Sequence, residues 1–264
     1  MTGFLKALNT RGILCGPFES CKDLQRRAGV LELIKKNPQL LNSAKSFDSV
    51  SFHEPMRYRE LDLEISWLPC CFSTKKLSPW EPAAIWLMEC EQIILPLLQM
   101  KPDIKRLKKD ITKHEMVHAA RSAFDEPVYE EFLAYATFPS RWRKGLGPLF
   151  RSSKESMVFV LLSALPLLEV FLPLQIGLLF IPILSFMMIL FMRLSLHTRI
   201  FKRMLRTIKQ IFEVEAPLQV ALRLSDQEIR LFGVCSLEEV TQYIFEQHCT
   251  RWHQILSSYK LRSK

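Results

Sequence analysis

Between Ser156 and Met192 the chain carries one ionisable side chain, Glu169. The run from Met157 to Met192 is 36 residues long. As a single helix it would measure roughly 54 Å, far more than a hydrocarbon core of about 30 Å. Two limbs joined by a turn fit better, and the turn-prone stretch Pro173-Leu174-Gln175-Ile176-Gly177 divides the run. Each limb is then just long enough, or slightly short, to cross, so the reading is a transmembrane or re-entrant hairpin over 151–195. Pro166 and Pro182 fall inside the limbs and are expected to kink them. Glu169 reads as a group near the far interface rather than a proton site.

Charge is segregated from this run. The chain has 36 Lys+Arg against 27 Asp+Glu, a net charge of +9. Arg141, Arg143, Lys144, Arg151 and Lys154 precede the hairpin, and Arg193, Arg199, Lys202, Arg203, Arg206 and Lys209 follow it. Basic residues on both flanks place both ends on the cytoplasmic side, the topology of an even number of spans. The basic excess therefore reads as a membrane address. A nucleic-acid partner is not expected, and Lys105 to Lys109 reads as an exposed helix face or a headgroup contact. No N-terminal signal peptide is visible, because Lys6 interrupts the short apolar stretch at the start. Seven cysteines without framework spacing agree with a reducing compartment.

The rest reads as α+β, mostly α. Residues 1–57 form a mixed N-terminal segment with a helix over Asp23 to Leu41. Leu61 to Trp67 alternates apolar and polar residues, the pattern of a half-buried strand. Pro82 to Met100 reads as a helix broken near Pro96, and a second helix is expected from Asp103 to about Phe124. In the C-terminal helical region, 196–264, Ser225-Asp-Gln-Glu228 and Ser236-Leu-Glu-Glu239 are capping-box signatures.

The chemistry lies in 58–150, at His114-Glu115-Met116-Val117-His118, an HExxH motif. On a helix, residues i and i+4 share a face, so both imidazoles can reach one Zn²⁺. Glu115 lies beside them and can accept a proton from water, whose pKa the metal lowers toward about 7. Ile104, Leu107, Ile111, His114 and His118 follow steps of three and four, the stripe expected of a metal helix inside a domain. Downstream, Asp125-Glu126-Pro127-Val128-Tyr129-Glu130-Glu131 opens another helix, with Pro127 suited to its first turn. Glu131 shares a stripe with Val128, Phe132, Tyr135 and Phe138. A carboxylate on an apolar stripe needs a cationic partner, so Glu131 is the expected third ligand. Glu130 is the second choice and Glu126 the third. Tyr129, Tyr135 and His197 are candidate donors to the transition state.

HEMVH followed by EFLAY resembles the gluzincin branch of the zincin metallopeptidases. The resemblance covers 58–150 at most, with its specific part at 114–135. It implies a zincin-like catalytic domain holding one Zn²⁺ on His114, His118 and Glu131, with Glu115 as general base. It also implies a small sheet whose edge strand holds peptide, to which Leu61–Trp67 could belong. Position 135 is Tyr where several membrane-linked members carry Asp. The peptide deformylases share HExxH with a Cys ligand, but Cys90 lacks their flanking residues. The expectation is therefore a membrane-anchored, zinc-dependent hydrolase of peptide bonds, acting on a peptide or protein substrate beside the lipid bilayer. Its active site and both termini would be cytoplasmic. The alternative is a non-catalytic membrane adaptor on a zincin scaffold.

Overall fold

A computed structural model describes residues 2–37, 51–52, 56–79, 81–90, 93–102, 108–170 and 176–262. The chain is mostly helical, with two small sheets and one long apolar helix. Ile104, Leu107, Pro173 and the side chain of Glu169 lie outside the described residues, so the expectations placed on them go no further.

Near the N-terminus, helix α1 spans Thr2–Thr10 and α2 spans Cys21–Lys36. The Ser20 hydroxyl caps α2 by accepting from the Asp23 amide at 3.2 Å. The alternating stretch keeps its expected burial, but the strand is shorter than the pattern predicts: Leu61 and Asp62 lie in a turn, with Asp62 at φ 51°, and only Leu63–Ile65 is extended in a sheet. Leu61, Leu63, Ile65 and Trp67 are all buried, and β3 (Leu63–Ile65) pairs antiparallel with β2 (Met56–Tyr58). These two strands form a sheet of their own, so Leu61–Trp67 does not belong to the sheet beside the HExxH helix.

That second sheet has the order β1-β4-β6-β5, built from Ser51–Phe52, Pro69–Phe72, Ile93–Met100 and Ala83–Cys90. The strands β5 and β6 correct the helix expected over Pro82–Met100. They form an antiparallel hairpin in continuous register from Ala83↔Met100 to Cys90↔Ile93. The stretch is apolar enough to mimic a buried helix, and periodicity alone does not separate the two. Pro96 is tolerated in β6 because β4 pairs only with Leu98 to Met100, leaving one side of β6 open at the proline.

Two helices carry the motif residues, α3 (Lys108–Ala120) and α4 (Pro127–Ala136). Beyond them come the short α5 (Arg141–Leu146), a 3₁₀ turn at Gly147–Leu149, and α6 (Ser153–Ala164). The α-helical part of α6 gives way to a 3₁₀ turn at Leu165–Val170, where Pro166 has no N–H to donate. Then α7 runs for 36 residues, Ile176–Ile211, with Pro182 inside it. Within it Leu179–Ile211 is long and apolar enough to cross a membrane, and only 11% of its most apolar window is buried. A core helix of a soluble domain would be largely covered; here Leu184, Met188, Ile189 and Met192 project outward, as do Met157 and Leu161 on α6. At the base, Arg193 of α7 grips the Glu155 carboxylate of α6 with two hydrogen bonds, 2.6 and 2.7 Å.

α7 does not end where the apolar run ends. Past Arg193 it turns amphipathic, burying Leu194, Phe201, Met204 and Ile208 against the rest of the protein. The C-terminal region adds α8 (Leu218–Ala221), α9 (Asp226–Val234), α10 (Leu237–Glu246) and α11 (Thr250–Ser258). Both expected capping boxes form, at Ser225 and Ser236. α9 lies close on α7 because position 233 is Gly. A Cβ there would come within 2.6 Å of the Ile200 carbonyl oxygen. The N- and C-terminal regions share one core, joined by buried Arg223, which donates to Asn9 Oδ1 at 2.6 Å and to the Leu61 carbonyl at 2.9 Å.

Candidate metal centre

α3 and α4 form an antiparallel helical pair through a short turn in which Asp125 adopts a left-handed backbone, φ 50°. Pro127 takes the first helical position of α4, as its fixed φ favours. The register of this pair brings Glu131 opposite the two histidines of α3.

His114 Nε2 and His118 Nε2 lie 3.3 Å apart. Glu131 Oε2 is 3.8 Å from His114 Nε2, and its Oε1 is 3.7 Å from His118 Nε2. One ligand atom from each residue falls within 4.8 Å of the others. Tetrahedral zinc with ligand bonds of about 2.0–2.2 Å holds its donor atoms roughly 3.3 Å apart, so two imidazoles and a carboxylate at these separations fit such an ion. All three residues line a cleft of about 1040 Å³.

Glu130, the second choice for third ligand, has a different place. Its Oε1 lies 2.7 Å from His118 Nδ1, the nitrogen turned away from the cluster. A carboxylate there holds the Nδ1 proton, so that when His118 loses its other proton it is Nε2 that presents the lone pair. Glu130 thus orients one histidine. Glu126 lies apart from the cluster. It stands at the N-cap of α4 and faces Arg121 at 3.6 Å.

The electrostatics are those of a site with surplus negative charge. Burial, reinforced by Glu131, Glu130 and Glu81 against the pull of His118, pushes Glu115 up to about 7. Burial also drives His114 down to about 3, with His118 adding to the effect. Burial opposes charge on His118 as well, but the hydrogen bond from Glu130 and the charges of Glu131, Glu130 and Glu115 outweigh it and lift His118 to about 9. Glu131 is raised by burial. Among the described residues, no lysine or arginine forms a salt bridge with Glu115, Glu130 or Glu131.

The three candidate donors separate. Tyr135 lines the cleft, its ring set edge-on to His114 with centroids 4.6 Å apart. Gly147 makes room for it, since a Cβ at that position would meet the ring at 2.1 Å. Tyr129 and His197 do not reach the cluster. Tyr129 is wholly buried on the opposite face of α4, between Phe132 and His197, and neither it nor His197 lines the cleft. The reason is rotational: the buried stripe of α4 is Tyr129, Phe132 and Leu133, while Glu131 and Tyr135 face the cleft four residues apart.

On the opposite wall the cleft is bounded by β5, through Ala83, Ala84, Ile85 and Leu87. Among the described residues β5 pairs only with β6, and no strand among them covers its other edge. Trp142, Arg143, Leu146 and Arg151 carry the lining toward the start of α6. Met157 and Met192, the ends of the apolar run, are exposed and stand outside the cluster. No protein-family model matches this chain, nor does any curated protein or solved structure.

Proposed function

We propose that the protein is a membrane-anchored zinc metallopeptidase. The observation that carries this reading is the convergence of His114, His118 and Glu131 on one point, with Glu115 beside them, at the wall of an open cleft. Zinc held by His114, His118 and Glu131 would supply a Lewis acid able to acidify water and polarise a peptide carbonyl. Glu115 takes the proton of the attacking water and returns it to the departing amine, so the chain is regenerated. Glu130 keeps His118 in the tautomer that presents Nε2 to the cluster. Tyr135 is the candidate donor that faces the cleft. A peptide laid along the edge of β5 away from β6 would gain main-chain hydrogen bonds as an added strand, with its scissile bond toward α3.

The apolar part of α7, paired with α6, supports anchoring of this site to a bilayer. The basic residues on both flanks support a cytoplasmic site with both termini on the same side. The cations beside the hairpin support a cleft at the membrane surface rather than within it.

Purified full-length protein in detergent, assayed against a peptide library, is expected to cleave peptides. Glu115→Gln is expected to retain zinc and lose about 10²- to 10⁴-fold in rate. Zinc retained with no turnover on any peptide would favour the adaptor reading.

A further inference from the structure

Both helices of the centre are tied to the same short segment, 222–226, far along the chain. Arg121, at the end of α3, is 1% exposed. Its Nη1 donates to the carbonyls of Leu222 at 2.9 Å and Leu224 at 2.8 Å. α4 begins without a cap from its own N-cap side chain, Glu126. The Asp226 carboxylate takes that place, accepting from the amides of Val128 at 2.8 Å and Tyr129 at 3.1 Å. Glu126 replies by accepting from the Asp226 amide at 2.8 Å. The next two residues of α4 are Glu130 and Glu131.

The segment is itself immobilised. Ser225 and Glu228 close a capping box, and Glu228 is held in turn by Arg251 and Trp252. A rise of about 1.5 Å per helical residue is large against the roughly 0.2 Å tolerance of metal–ligand distances. A first turn of α4 that frays or slips therefore carries Glu131 out of reach of the imidazoles.

We propose that Asp226 is a positioning residue for the metal centre, fixing the start of α4 and so the placement of Glu131 against His114 and His118. This rests on the ligand assignment made above. It gives the C-terminal region a task, which is to hold the ligand helix in register.

The test compares full-length native protein with Asp226→Ala, Asp226→Asn and, as control, Ser236→Ala, which removes an exposed cap elsewhere. Zinc dissociation constants come from chelator competition, ligand geometry from the visible spectrum of the cobalt-substituted protein, and cap integrity from amide exchange at Val128 and Tyr129. Asp226→Ala is expected to weaken zinc binding about 10- to 100-fold, alter the cobalt spectrum and speed exchange at both amides. Asp226→Asn, which keeps one acceptor oxygen, is expected to recover much of the loss, and Ser236→Ala to change none of the three. Zinc affinity within twofold of native in Asp226→Ala would overturn the proposal. If that variant does not fold, Asp226→Asn decides, with an intermediate loss expected and no change overturning it. A native chain that binds no zinc would defeat the ligand assignment and this proposal together, whereas native binding with an indifferent Asp226→Ala defeats this proposal alone.

Discussion

Two acidic centres are buried in this molecule, and they are finished in opposite ways. Glu228, 2% exposed, accepts from both terminal nitrogens of Arg251 at 2.6 Å, from Trp252 Nε1 at 2.7 Å, from the Tyr243 hydroxyl at 2.9 Å and from the Ser225 amide at 2.8 Å. Burial opposes its charge, yet Arg251 and these donors overcome the penalty and hold Glu228 below the usual carboxylate range. Glu115, Glu130 and Glu131 crowd together with two imidazoles as their bases, and burial pushes Glu115 and Glu131 upward. One centre is completed by the chain. In the other, no lysine or arginine among the described residues pairs with the three carboxylates, and the cluster opens to a cleft. A buried carboxylate is evidence of a missing cation only where the protein has not already provided one.

The contrast is broken most forcefully at Glu228. Glu228→Gln leaves Arg251 buried against a neutral amide, and the expected loss is about 3–5 kcal/mol in denaturant unfolding. The pH dependence follows from the sign of the shift. Because the folded pKa lies below the ordinary value of 4.5, the stabilisation from Glu228 is complete above that value and fades as pH falls through the lower folded value. Unfolding midpoints at pH 6 and pH 3.5 should differ for the native protein and differ less for Glu228→Gln.

Glu131→Gln sharpens the other half. Zinc affinity should fall by more than about 100-fold, while the zinc-free protein keeps its stability or gains slightly, because like charge is removed from a buried cluster. Glu130→Gln should give an intermediate loss of zinc affinity, about 10- to 100-fold, as His118 loses its acceptor. The smallest effect is expected at Tyr129→Phe. Cleavage should stay within about twofold of native, since that hydroxyl faces away from the cleft, whereas Tyr135→Phe should lower kcat.

What could be read from the sequence is what is local. The i, i+4 histidines, the helix opened by Pro127 and both capping boxes depend on residues within one or two turns, and each element formed where its residues stand. The stripe expected around Glu131 splits in the structure: Phe132 is buried with Tyr129, while Glu131, Tyr135 and Phe138 line the cleft. Choosing between the faces of that helix was harder. Tyr129 and Tyr135 stand on the same short helix, and only packing against His197 of α7 shows that the first points into the core. The β5–β6 hairpin was misread because its residues are apolar on both faces, so neither period stands out, and because Pro96 suggests a helix break as readily as an open strand edge. Asp226 and the Arg121 anchor gave no sign at all. Their partners lie about a hundred residues away across the apolar run, and no local pattern encodes a contact at that distance. Arg121 in particular reads as a surface cation beside the motif and is instead among the largest fully buried side chains.

The central claim is that His114, His118 and Glu131 together take up one zinc ion. Zinc content of the purified full-length protein, measured beside its X-ray absorption spectrum, tests this most directly. The expected result is about one zinc per chain, coordinated by two imidazole nitrogens and carboxylate oxygen, and lost in a His114→Ala, His118→Ala double variant that remains folded. Substoichiometric zinc in well-folded native protein, or zinc retained in full by that double variant, would contradict it.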